Sequence, residues 1–209
     1  EYRGQGTLPL PGYFRRLDAV RSNHLTDDAC ERFYEMLAQA ERPLIYAGGG
    51  VINADATKPL RRFANEYDIP GTTTLMALGC GNTRHPMALH MLGMHGLASA
   101  NYAVEDCDFL IAVGARFDDR VAGDPKAFAG GAKNIAHFDV DIAEIGKVKR
   151  VNWHHVGILE RDLTENGCRD IPLARTQMGT SPRELRLHAS MALDRMTAAT
   201  TRSSQRLPS

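Results

Sequence analysis

The charged segment from Gly114 to Val121 carries the residues of this chain that are best suited to chemistry. It directly follows an apolar run that is typical of a buried parallel strand. Ligands of open α/β sheets bind outside the carboxyl ends of the strands. Arg116 and Arg120 can therefore hold a diphosphate or a carboxylate through paired hydrogen bonds. Asp118 and Asp119 can orient those arginines or accept from ribose hydroxyls. The alternative is a self-contained surface ion-pair cluster, which would stabilise the fold little.

A run of three glycines, Gly48, Gly49 and Gly50, follows the short apolar run at 44–47. Such a run lets the backbone pass close to a phosphate or a ribose, and its N–H groups can donate hydrogen bonds. The run lacks the complete G-x-G-x-x-G spacing. A tight structural turn therefore explains it equally well.

The segment Leu92-Gly93-Met94-His95-Gly96 places a thioether and an imidazole between two glycines. Methionine packs well against an aromatic ring system, and histidine can donate to a ring carbonyl or a phosphate. The alternative is a core methionine beside a capped histidine. Because no second His or Cys is suitably spaced, we predict no metal site.

Two aspartates, Asp139 and Asp141, flank Val140 at the end of a predicted strand. Carboxylates in this position commonly hydrogen-bond the ribose or adenine of a nucleotide. They can also cap a helix that begins near Ala143, and the two roles are compatible.

Alternation of strands and helices predicts how these segments come together. Strands alternating with helices at this spacing indicate an α/β fold with a doubly wound parallel sheet. We predict strands at 44–47, 69–75, 108–113, 135–140 and 153–158, and helices at 26–40, 56–67, 98–105 and 142–148.

Composition narrows the class of protein. The formal net charge is +0 and the pI is near 7.3, so no basic field indicates nucleic acid or an anionic membrane as a partner. No apolar run approaches the length of about 18 residues that suggests a membrane span. The four cysteines lack C-x-x-C spacing, which argues against a metal knuckle or a disulfide framework. We expect the cytoplasm of a bacterium, or a plastid or mitochondrion in a eukaryote.

Six segments, in their order along the chain, resemble the acetohydroxyacid synthase (acetolactate synthase) family of thiamine-diphosphate enzymes. The resemblance covers about residues 27–159. The segments are Glu41–Gly50, Thr73–Gly79, Met91–Gly96, Asn101–Val104, Gly114–Val121 and Phe138–Lys147.

The resemblance implies the central, Rossmann-like domain of a three-domain subunit. In that family the first and third domains bind thiamine diphosphate and Mg²⁺ across a dimer interface, and the central domain binds FAD without using it for redox chemistry. The full enzyme, a homodimer or homotetramer with a regulatory small subunit in some members, decarboxylates pyruvate. It adds the two-carbon unit to pyruvate or 2-oxobutyrate in the biosynthesis of valine, leucine and isoleucine.

The resemblance also implies site residues. The activating glutamate and the Mg²⁺-binding motif belong to the flanking domains, so we expect no catalytic residue here and no activity from this chain alone. The family's usual proline and aspartate are replaced by Ile142 and Ile158. Asp139 and Val140 would meet the nucleotide end of FAD, and Met94, Asp119 and Arg120 would lie near the substrate channel. The residues expected to line FAD are Gly48, Gly49, Gly50, Thr74, Leu75, Leu92, Gly93, Met94, His95, Gly114, Ala115, Arg116, Asp118, Arg120 and Val121.

Two alternatives fit parts of this pattern. Glyoxylate carboligases and pyruvate oxidase-like enzymes share the domain order and can hold FAD, although the segment 114–121 favours the synthase. A non-catalytic nucleotide-binding module would keep the fold without the reaction.

The two ends of the chain differ from the predicted domain at 26–159. Residues 1–25 are rich in Gly and Pro and are expected to form an interdomain linker. Residues 160–209 contain no aromatic residue and no lysine, so we expect a disordered tail. Out-of-frame translation of a GC-rich gene would give such a composition, and natural divergence is the alternative. Because the chain begins at Glu1, we expect a fragment.

Overall fold

A sheet of six parallel strands organises the residues that the computed structural model describes, 12–157. The strand order is β3-β2-β1-β4-β5-β6, so the chain starts in the middle of the sheet, winds to one edge, returns, and winds to the other. This confirms the predicted doubly wound α/β fold. The strands are β1 (Pro43–Ala47), β2 (Gly71–Thr73), β3 (Ala88–Met91), β4 (Phe109–Val113), β5 (Asn134–Asp139) and β6 (Trp153–Val156).

Two helices precede β1, and four lie in the connections β1–β2, β3–β4 and β4–β5. They are α1 (Tyr13–Ser22), α2 (Asp27–Gln39), α3 (Gly49–Asn53), α4 (Thr57–Glu66), α5 (Ala98–Asp106) and α6 (Asp119–Ala122), with one 3₁₀ turn at Leu75–Ala77. The predicted start of α2 is confirmed, because the Thr26 hydroxyl accepts from the Ala29 amide at 3.3 Å.

The core lies on both faces of the sheet, which explains why β1 and β4 are apolar and buried throughout. On one face, Phe33 of α2 and Leu60 of α4 pack against alternate strand residues such as Ile111. On the other face, Val104 of α5 packs with Tyr46 and the remaining strand residues. Both faces contribute hydrophobic burial, so the centre of the sheet is the most firmly fixed part of the fold.

One buried carboxylate fixes the amino edge of the sheet. Asp108, just before β4, accepts from the amides of Glu41 and Arg42 at 2.8 and 2.9 Å. Since Arg42 immediately precedes β1, this pair of bonds aligns the two central strands.

Several sequence predictions are wrong in detail. Residues 142–148 form turns rather than a helix, and Gly146 there has a φ of 69°. The strand predicted at 69–75 is only three residues long, because the chain turns into the 3₁₀ helix. Helix α1 lies within residues 1–25, whose role as an interdomain linker stays a prediction.

Four short elements were not predicted: β3, α3, α6 and the 3₁₀ helix. Strand β3 is a short edge strand with only one buried residue, and its pairing with β2 has a register shift. Its four residues therefore show no clear alternation of apolar and polar side chains. Helix α3 starts at the second glycine of the run at 48–50 and is too short to show a helical period. The tail predicted from residue 160 lies outside the described residues.

Candidate functional site

All the candidate segments emerge at the carboxyl edge of the sheet, as predicted. Each begins immediately after a strand or with its last residue, and five neighbouring strands contribute. The segments start at Gly48 after β1, Thr74 after β2, Leu92 after β3, Gly114 after β4 and Asp139 at the end of β5.

The glycines after β1 and β4 allow these two loops to meet backbone to backbone. The Gly48 amide donates to Val113 at 2.9 Å, and the Gly50 amide donates to Gly114 at 3.0 Å. A Cβ on Gly50 would lie 2.7 Å from the Gly114 Cα, which real side chains do not tolerate. The structural interpretation of Gly48 and Gly50 is therefore supported, because their N–H groups are used within the protein.

The loop after β3 is held against the start of the charged segment's helix. The Met94 amide donates to the Arg120 carbonyl at 3.0 Å. Gly93 has a φ of 94°, and a Cβ there would lie 2.8 Å from that same carbonyl oxygen. The Asn101 side chain of α5 accepts from the Gly93 amide at 2.7 Å and donates to its carbonyl at 3.1 Å. These contacts bring Met94 beside Arg120 and Val121.

The four charged side chains after β4 do not neutralise one another. Arg116, Asp118, Asp119 and Arg120 are all exposed. Among residues 12–157, none of them takes part in an ion pair, and the one hydrogen bond to their carboxylates runs from the Arg120 amide to Asp119 at 3.0 Å. The alternative of a self-contained ion-pair cluster is therefore wrong, and two guanidinium groups are available at this edge.

Large apolar side chains are exposed at the same edge. Leu75 is 66% exposed, Met94 73% and Val140 58%, and each follows the end of a different strand. The alternative of Met94 as a core residue is therefore wrong. An edge that presents both unpaired charges and apolar side chains suits a ligand with an ionic part and a flat apolar part.

Asp139 is turned into the protein rather than toward solvent. Its carboxylate accepts from the Asp141 amide at 2.9 Å and lies 3.6 Å from Nε2 of His137. Burial opposes ionisation, but the nearby His137 side chain and hydrogen bonds from the amides of Asp141 and Val140 outweigh it and lower the pKa of Asp139. Asp141 accepts from the Ala143 amide at 2.9 Å. The two aspartates thus cap turns, and the helix they were expected to cap is absent here; nucleotide contacts by Asp139 stay a prediction.

Two residues that the sequence reasoning missed hold the segment after β4. The Tyr46 hydroxyl donates to the Arg116 carbonyl at 2.7 Å, and Nε2 of His137 lies 2.9 Å from the carbonyl of Ala115, itself buried. The available signal was a single polar ring flanked by apolar residues in each of two strands. A buried polar side chain needs a partner, and a loop that follows the neighbouring strand can supply one.

Two further features of the structure add little to the candidate site: the Thr74 hydroxyl and a cavity beside α4. The Thr74 hydroxyl is enclosed and has no hydrogen-bond partner. A largely apolar cavity of about 130 Å³ lies between α4 and the loop at 78–85, and its lining includes none of the candidate residues. The Arg61 guanidinium at this cavity is used by the carbonyls of Gly79, Cys80 and Gly81.

A family model described as the central domain of thiamine pyrophosphate enzymes matches residues 30–165. The chain belongs to this family. The matched range contains every strand of the sheet and every candidate segment. The carboxyl edge of the sheet is therefore part of a thiamine pyrophosphate enzyme central domain.

Several relatives of this thiamine pyrophosphate enzyme domain are named acetolactate synthase. A probable acetolactate synthase large subunit from Methanocaldococcus jannaschii is 54% identical over 123 residues, which is 59% of this chain and 21% of that protein. The acetolactate synthase large subunit of Parasynechococcus marenigrum is 46% identical over 150 residues, 72% of this chain and 24% of that protein. The chloroplastic acetolactate synthase 1 of Zea mays is 44% identical over 167 residues, which is 80% of this chain and 23% of that protein. The chain thus spans about a quarter of the length of these relatives.

Within residues 12–157, no helix has both the length and the apolar character needed to cross a membrane.

Proposed function

We propose that this chain supplies the FAD-binding central part of an acetolactate synthase catalytic subunit. The observation that carries the proposal is the pair of unpaired, exposed guanidinium groups of Arg116 and Arg120 beyond β4. In the sheet order β4 adjoins β1, and this is the point where the winding reverses. Nucleotide ligands of doubly wound sheets bind at such a point.

The chemistry of the edge fits FAD. A dinucleotide needs cationic groups for its diphosphate, which Arg116 and Arg120 would provide in paired hydrogen bonds. A flavin ring needs apolar contacts and a few polar ones, which the exposed side chains of Leu75, Met94 and Val140 would supply. FAD has no redox role in this proposal.

The proposed activity of the whole protein rests on the name of the relatives and on the resemblance of six sequence segments to the acetohydroxyacid synthase family. The full-length enzyme would condense two pyruvates, or pyruvate and 2-oxobutyrate, with release of CO₂. Thiamine diphosphate, bound with Mg²⁺ outside this domain, supplies the carbanion chemistry of that reaction. This chain's residues would orient FAD, and Met94, Asp119 and Arg120 would border the path of the substrate. We further propose that the full-length enzyme is a homodimer or homotetramer, with a regulatory small subunit as a partner. Its location would be a bacterial cytoplasm or an organelle.

Titration of the purified 209-residue chain with FAD, followed by flavin fluorescence, tests the proposal. We expect saturable binding that weakens with salt, because a diphosphate bound by exposed guanidinium groups is screened. A parallel titration with thiamine diphosphate and Mg²⁺ should give no binding. Binding of thiamine diphosphate without FAD would overturn the proposal, as would acetolactate formation from pyruvate by this chain alone.

A further inference from the structure

Two fully buried polar side chains hydrogen-bond to the segment that follows β4. They lie in β1 and β5, the two strands that flank β4 in the sheet. Tyr46 lies in β1 and His137 lies in β5, and both side chains are 0% exposed. The register pairs Tyr46 with Ala112 and Ala112 with His137. The three residues therefore form one row across the sheet, with their side chains on the same face. The small side chain of Ala112 leaves space between the two rings.

The chain fills that space by turning back after β4. Gly114 has a φ of 56°, and three residues later the ring of Phe117 packs against both polar rings. Its centroid lies 5.6 Å from that of Tyr46 and 5.2 Å from that of His137. This turn presents the carbonyls of Ala115 and Arg116 to the buried donors.

Both polar side chains act as donors here. A carbonyl oxygen only accepts, so the hydrogen between His137 and Ala115 is on Nε2. Burial raises the pKa of Tyr46, and the nearby Asp118 raises it further while Arg116 lowers it, so the phenol stays protonated. If the loop took another path, the buried Tyr46 hydroxyl would lose its partner, and Nε2 of His137 would keep only the Asp139 carboxylate at 3.6 Å.

We propose that Tyr46 and His137 are positioning residues for ligand binding. They fix the backbone of residues 115–116, and with it the direction in which Arg116 is presented to an anionic ligand. The ligand part of this inference rests on the proposed function, with FAD as the ligand. A loop that is fixed before binding loses less conformational entropy when it binds, so the two buried side chains increase affinity without touching the ligand.

The test compares three variants of the 209-residue chain. Tyr46→Phe removes only the hydroxyl, His137→Leu removes the donor, and His137→Gln keeps an N–H donor. We expect Tyr46→Phe and His137→Leu to weaken FAD binding by about three- to tenfold, the range for loss of one hydrogen bond. His137→Gln should recover part of the affinity.

A double-mutant cycle separates positioning from stability. If Tyr46 acts through Arg116, Tyr46→Phe should have little effect on FAD affinity in the Arg116→Ala background. The control is Trp153→Phe, which removes a partly buried hydrogen bond to Ala29 at the opposite end of the sheet. It should lower the thermal midpoint and leave FAD affinity within about twofold. Full additivity of Tyr46→Phe with Arg116→Ala would overturn the inference.

A measurement without ligand keeps the two proposals apart. Arg116 is exposed, so trypsin cleavage of the Arg116–Phe117 bond reports how firmly the loop is held, with the Arg150–Val151 bond as internal standard. Tyr46→Phe should accelerate cleavage after Arg116 by about three- to tenfold relative to the standard. Unchanged cleavage overturns loop positioning. A wild-type chain that does not bind FAD overturns the proposed function and the ligand part of this inference, whatever the cleavage rates.

Discussion

Gly50 and Gly114 meet backbone to backbone where the winding of the sheet reverses. The Gly50 amide donates to the Gly114 carbonyl at 3.0 Å, and a Cβ on Gly50 would lie 2.7 Å from the Gly114 Cα. In many doubly wound sheets this position is the crevice that receives the ligand. Here the loops at Gly50 and Gly114 contact each other and close the base of the crevice. A ligand therefore has to lie on the solvent side of these loops, against the side chains that follow Gly114 in the chain.

Gly50→Ala should therefore destabilise the chain. Alanine favours helix over glycine by about 1 kcal/mol, but overpacking against fixed backbone costs about 1–3 kcal/mol. We expect a net loss of about 1–2 kcal/mol, measured by urea unfolding. Gly81→Ala is the matched control, because a Cβ there meets nothing within 4 Å. That variant should be unchanged or more stable by about 0.5 kcal/mol, and equal effects at the two positions would contradict the packing argument.

Arg116→Ala and Arg120→Ala should each weaken FAD binding by about tenfold or more. Hydrogen bonds to charged groups contribute about 1.5–3 kcal/mol, and neither guanidinium has an ionic partner in residues 12–157 to lose. Thermal midpoints should stay near the wild-type value. Arg150→Ala, an exposed arginine remote in sequence from the charged segment, provides the control. Loss of affinity in that variant alone would sink the assignment of the diphosphate site.

Asn101→Ala should loosen the loop that carries Met94. Its amide makes two hydrogen bonds to Gly93, which has a positive φ and depends on this support. We expect a loss of about 1–2 kcal/mol in unfolding free energy and weaker FAD binding. Asn101→Asp, which accepts but cannot donate, should lie between the wild type and the alanine variant. Wild-type affinity in Asn101→Ala would show that the position of Met94 does not matter for the ligand.

The sequence predicted the sheet and its carboxyl edge because the central strands are continuous apolar runs. Strand β4 ends at Gly114 and is followed at once by charges, so the location of the candidate site could be inferred without coordinates. The role of the glycines could not be inferred from the sequence. The atoms that fill the space beside Gly50 belong to Gly114, which lies 64 positions later in the chain.

The polar groups beneath the site were also invisible to sequence patterns. Tyr46 and His137 are flanked by apolar residues in their strands, and their partners are main-chain carbonyls that no residue type reveals. The missing helix at 142–148 has a different cause: Gly146 takes a φ of 69°, a left-handed conformation that interrupts a helix.

Asp139 makes the stability of the chain depend on pH in a defined direction. Its pKa is lowered in the folded state, so its ionised form stabilises the fold above the unfolded-state pKa of about 4. This contribution is lost as the pH falls through the folded-state value. Asp139→Asn should therefore be less stable than the wild type at pH 7, and the difference should shrink below about pH 4.

Denaturant unfolding at several pH values between about 7 and 3 measures that difference. The control is Asp28→Asn, in which an exposed pair with Arg32 at 3.1 Å is removed. Since exposed pairs contribute little, its stability should stay within about 0.5 kcal/mol of the wild type throughout. A gap between Asp139→Asn and the wild type that widens on acidification would contradict the assignment, because it would require Asp139 to stabilise the fold in its protonated form.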